Sequence, residues 1–138
     1  DANNNLYHSE VKAAFRAANA KYRLCIADAC HSGSMVGSST VSNYEEIANL
    51  RDERIAVILS SSENQTSQET NSLRQGVFSF YLMQGLRGKG DLNNDHYVTA
   101  GELFLYTREA VNRYSSGEQI PIIAGQSLDK IPLCKLKK

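Results

Sequence analysis

Two short runs constrain this chain more than anything else in it: "YRLCIAD" at 22–28 and "RIAVILSSS" at 54–62. Their apolar residues follow one another without alternation, so strands built from them have no face to show to water and must be covered on both sides. Around them lie stretches of helical period. Tyr7, Val11, Ala14, Phe15 and Ala18 recur at helical spacing after the caps offered by Asn3 to Asn5, which predicts a first helix ending near Ala20. "YEEIANLRDE" reads as a short helix, "VFSFYLMQGLRG" as a helix ending at its glycines, and "AGELFLYTREAVNRY" as an amphipathic helix. "QIPIIAG" reads as a third strand. The Gly- and Ser-rich "HSGSMVGSSTVSN", the polar "ENQTSQETNSLRQG" and "GDLNNDHYVT" read as loops.

Strands alternating with helices in this order predict an α/β fold with a parallel sheet covered on both faces. A chain of 138 residues holds one such domain, spanning 1–138. Three strands make a thin sheet, and the first helix has no strand before it, so further strands are expected on the N-terminal side. Fifteen basic and fifteen acidic side chains cancel, which argues against nucleic acid or an anionic membrane surface as partner. No apolar run reaches the length of a membrane span. The three cysteines, Cys25, Cys30 and Cys134, have no metal-ligand or redox spacing. Cys25 and Cys134 read as small apolar residues, and a reducing compartment fits them.

Cys30 is different. In open parallel sheets, chemistry collects where strands give way to loops at their carboxyl ends. Asp28 and Cys30 stand at the end of one strand, and Ser60 to Glu63 at the end of another. Cysteine catalysis needs a thiolate, a basic partner and donors for a developing oxyanion. The "CHSG" turn supplies the sulfur and a glycine-permitted backbone beside it. His31 is poorly placed as the base, because successive side chains of an extended segment point to opposite faces. His8, on the helix face flanked by Ser9 and Glu10, and His96, in a separate loop, are no better. The plainer alternatives are a third buried cysteine at position 30, a turn-capping Asp28 and a solvated Glu63.

The segment "LCIADACHSG" resembles the nucleophile segment of metacaspases and bacterial orthocaspases, in the clan shared by caspases and clostripain. It is also similar to the caspase pattern Gln-Ala-Cys-(Arg/Gln/Gly)-Gly, with Asp28 for the Gln and His31 at the variable position. "SSSENQTSQET" resembles the metacaspase segment S-G-C-R-D-D-Q-T-S-A-D. Gln65, Thr66 and Ser67 are identical, Glu63 stands for the first Asp of the pair, and Glu69 for the last. The likeness runs from the first helix to "QIPIIAG".

The resemblance implies a caspase-like three-layer sandwich with a mostly parallel central sheet, of which this chain is the nucleophile-bearing C-terminal part. It implies a cysteine endopeptidase acting through an acyl-enzyme on Cys30, with no cofactor required for the chemistry. Asp28, helped by Glu63, would form the pocket for a substrate Arg or Lys, and Ser60 and Ser61 would pair their backbone with an extended peptide. The family's catalytic histidine lies roughly fifty residues before the cysteine, which falls before residue 1. It is therefore expected on a companion N-terminal fragment, separated by a cut of the clostripain kind. A catalytically inactive scaffold and a calcium-binding regulatory domain are the alternatives.

The calcium alternative comes from "DLNNDHYVTAGE". Asp91, Asn93, Asp95, the Tyr97 carbonyl, Thr99 and Glu102 occupy positions 1, 3, 5, 7, 9 and 12 of an EF-hand loop, and Val98 supplies the apolar position 8. His96 stands where the turn favours Gly. The competing reading is an acidic turn whose Thr99 and Glu102 form a helix capping box.

Overall fold

The computed structural model describes residues 8–27, 55–60, 69–70, 75–125 and 128–137. Helix α1 (His8–Ala17) leads into β1 (Arg23–Ala27), and β2 (Ile55–Leu59) follows. A two-residue hairpin, β3 (Glu69–Thr70) with β4 (Gln75–Gly76), opens into α2 (Val77–Gln84). A wider π-helical turn (Gly85–Lys89) continues it. Then come β5 (Tyr97–Thr99), α3 (Ala100–Tyr114), β6 (Ile122–Gly125), a 3-10 turn (Leu128–Lys130) and β7 (Pro132–Lys135).

The two apolar runs form adjacent strands. β1 and β2 pair in parallel, with Ala27 opposite Leu59 at their carboxyl ends. In β2, Ala56 and Ile58 point to one face and Val57 and Leu59 to the other, and all four are buried. This strand is covered on both sides, as its unbroken apolar sequence demands. Ile58 packs with Val77, Phe78, Phe104 and Val111 of α2 and α3, joined by the half-buried Leu24, Tyr81, Leu82 and Ile123. Ala56, Ala100 and Ile131 form a second cluster beside it. β1 is less covered than its neighbour, and Ile26 is exposed.

Three expectations from the sequence need correction. The third strand, β6, runs antiparallel to β2, so the described sheet has the order β1-β2-β6 and is mixed rather than parallel throughout. The polar stretch read as loop contains the β3–β4 hairpin, whose two rungs are backbone pairing that a polar sequence does not announce. The acidic loop ends in a strand: β5 pairs antiparallel with β7, a C-terminal strand that the periodicity did not reveal. Val98 is the fully buried residue at that junction, and two backbone bonds extend the pairing, Leu136 N–H to His96 O at 2.7 Å and Ala100 N–H to Ile131 O at 2.9 Å.

The helix expected to stop at its glycines does not stop at Gly85. That residue is buried where α3 passes close, and a Cβ there would lie 2.6 Å from Leu103 Cδ1. Gly85 is thus a packing glycine inside a continuing helix. Gly88, at φ 124°, is the one that turns the chain out of helical geometry. The short helix expected over "YEEIANLRDE" lies outside the described residues.

Candidate active site

The carboxyl ends of β1 and β2 lie side by side. The last rung between them is Ser60 N–H donating to Ala27 O at 3.0 Å. Asp28 and Cys30 follow Ala27 directly in the chain, and Ser61 and Glu63 follow Ser60. Of the residues singled out for the site, Ser60 is described. Asp28, Cys30, His31, Ser61 and Glu63 lie outside the described residues.

Ser60 is fully buried, and both its backbone groups are engaged inside the protein. Its N–H goes to Ala27, and its carbonyl accepts from Gln119 Nε2 at 3.0 Å. Gln119 is itself fully buried. Its backbone N–H donates to Ser115 Oγ at 2.9 Å, and that hydroxyl reaches the Gln119 carbonyl at 3.2 Å. Sequence reasoning passed over Gln119 as the first residue of a strand. No sequence signal marks it, because the carbonyl it reaches lies 59 residues away in the chain.

Cys25 sits within β1, half-buried, and burial pushes its thiol above the ordinary value, which suits a packing role rather than a reactive one. Cys134, also half-buried, turns its sulfur to Leu86 O at 3.4 Å.

The acidic loop is well ordered by its own side chains. Asp91 accepts from the N–H groups of Asp95 (3.1 Å) and His96 (3.0 Å). Asn93 Oδ1 accepts from Asp95 N–H at 3.0 Å, and Asp95 Oδ1 from Tyr97 N–H at 2.8 Å. His96 has φ 68°, so the position that favours Gly does take the left-handed conformation; Asn94 does so as well, at 59°. Thr99 and Glu102 form the capping box of α3: Thr99 Oγ1 accepts from Glu102 N–H, and Glu102 Oε2 lies 3.0 Å from both Thr99 N and Thr99 Oγ1. Glu102 Oε1 is buried and has no partner. Among the described residues, no three His, Cys, Asp or Glu side chains are grouped as a metal cage.

A family model described as the caspase domain matches residues 3–131, nearly the whole chain. The chain belongs to the caspase-domain family. That membership makes it a peptidase domain of the cysteine type, with protein as its substrate. No curated protein and no solved structure matches it. Among the described residues, no helix is long and apolar enough to cross a membrane.

Proposed function

We propose that this caspase domain is an endopeptidase that cleaves after Arg or Lys through an acyl-enzyme on Cys30. The observation that supports it is the pairing at the sheet edge. Ala27 and Ser60 are hydrogen-bonded neighbours, and the chain runs on from them into the cysteine motif on one side and the acidic "SSENQTS" motif on the other. In the proposed reaction the Cys30 thiolate attacks the scissile carbonyl. The Cys30 N–H and a glycine N–H hold the oxyanion, the amine leaves with a proton from the imidazolium, and water releases the acyl group. Asp28 and Glu63 pair with the cationic side chain before the cleaved bond. Ser61 offers its backbone to the extended peptide. Ser60, with its own backbone groups already paired, supports that strand end rather than meeting the peptide.

The proton acceptor in this reading is a histidine of a companion N-terminal segment outside residues 1–138. Labelling the active protein with an arginyl chloromethylketone tests the whole proposal. Peptide mapping should find the label on Cys30, and Cys30→Ala should abolish it together with hydrolysis of Arg-peptides. An unlabelled wild-type protein would favour the inactive scaffold. Denaturing mass spectrometry of the same material should show a second polypeptide carrying the histidine. A lone species of this chain's mass that still hydrolyses Arg-peptides would overturn the companion segment.

We also propose that the 91–102 loop takes a calcium ion, as a property separate from the chemistry at Cys30. Asp91, Asn93, Asp95, the Tyr97 carbonyl, Thr99 and Glu102 would hold it, a set of hard oxygens of the kind calcium selects. The supporting observation is Glu102 Oε1, a buried carboxylate oxygen left without a donor at the far end of the loop. An unpaired anionic oxygen away from water is costly, and a cation relieves it. At the exit of the loop, β7 gives β5 the strand partner that a second EF-hand loop supplies elsewhere.

A further inference from the structure

We infer that Gln119 is a positioning residue for the candidate active site, a clasp that ties the ends of both site-bearing strands to the end of helix α3. The inference rests on the peptidase reading for what the clasp positions, but the clasp itself stands on described geometry. Starting from α3, Ser115 is buried just past the helix end and holds the Gln119 backbone through two hydrogen bonds. The Gln119 side chain then reaches across 59 residues of sequence to the carbonyl of Ser60. Ser60 in turn holds Ala27. The series ends three residues before Cys30 and one before Ser61.

Chemistry explains why a glutamine is needed. Gln119 lies three residues before Ile122, which pairs with Leu59 in the β2–β6 ladder, so its side chain is carried to the end of β2. The Gln119 amide adds a side-chain hydrogen bond to that strand end. Gln119, Ser60 and Pro121 are all fully buried, so water has no access to substitute for it. Two replacements separate the donor from the shape: methionine has a similar volume and glutamate a similar outline, but neither offers the N–H, glutamate when ionised least of all.

The test compares the three cysteines of the active protein, wild type against Gln119→Met and Gln119→Glu, by their rates of alkylation with iodoacetamide. Cys25 in β1 and Cys134 in β7 report the general integrity of the fold, whereas Cys30 reports the strand end. We expect the Cys30 rate to change by about tenfold or more, as small displacements of a reacting group do, while Cys25 and Cys134 hold their wild-type rates. On an arginyl peptide, kcat should fall in step with the Cys30 rate, and KM should rise if Ser61 is displaced with it. Unchanged Cys30 reactivity and unchanged kcat in both variants would overturn the clasp. If Gln119 variants open all three cysteines together, Ser115→Ala decides. It leaves the amide in place and loosens its mounting, so it should move Cys30 alone and by less; no selective change there would also overturn the inference. Failure of the peptidase reading looks different. Wild-type Cys30 would then refuse the arginyl chloromethylketone, while the iodoacetamide rates would still report whether Gln119 holds the strand end.

Discussion

At the scale of single residues, burial decides which polar groups are bound and which are not. Thr107 is fully buried in α3, and its hydroxyl has no hydrogen-bond partner. An unsatisfied buried hydroxyl carries a desolvation cost that an isosteric methyl does not. Thr107→Val should therefore stabilise the fold by about 1 kcal/mol, read as a higher midpoint in denaturant; a loss of that size would show that the hydroxyl finds a partner. Cys25 makes a pH prediction. Burial pushes its thiol above the ordinary value. As pH rises through that ordinary value the unfolded chain loses the proton first, so unfolding is favoured. The stability tied to the neutral thiol is complete below the unfolded value and is lost as pH rises toward the folded one. Melting curves between pH 8 and 11 should fall more steeply for the wild type than for Cys25→Ala, and parallel curves would refute the assignment.

Among elements, the helix starting at Ala100 shows how a local signal and a tertiary one can share the same residues. Thr99 and Glu102 cap α3 in the way their spacing indicates. Thr99→Ala should cost about 1 kcal/mol of stability, seen in the same denaturant midpoint. The same two residues are the last two positions of the proposed calcium loop. Binding to the native state alone raises the melting temperature as occupancy grows. Millimolar calcium should raise it for the wild type and leave Asp91→Ala unmoved, and identical melting with and without calcium in both proteins would remove the ion from the account. The helices around Phe78 and Phe104, and the strands around Cys25 and Val57, were legible because their periodicity is set by one-sided or two-sided burial. β7 and the β3–β4 hairpin were not. Their rungs are backbone bonds between short segments, and at two to four residues no side-chain period can develop.

For the molecule as a whole, the consequence of the peptidase proposal is selectivity. A pocket closed by Asp28 accepts a guanidinium or ammonium group and repels a carboxylate. The active protein should hydrolyse peptides after Arg, also after Lys, and not after Asp. Asp28→Ala should lose on the order of 2–5 kcal/mol of transition-state binding for basic substrates, the scale for removing one partner of a buried charge pair, measured as kcat/KM. Equal turnover of Arg and Asp peptides would refute the pocket.

The sequence by itself determined the family, whose model matches residues 3–131. The resemblance was legible in short contiguous motifs, "DACHSG" and "SSENQTS", because their meaning is local. The sequence also determined that β2 must be covered on both faces, since an unbroken apolar strand has no other stable place. Only the tertiary structure decided that β6 returns antiparallel, that β5 finds β7, and that Gln119 reaches the carbonyl of Ser60. Each of these depends on which distant backbone groups meet. A hydrogen bond spanning 59 residues leaves no period in the sequence, because the need for it arises only when two strands are set side by side.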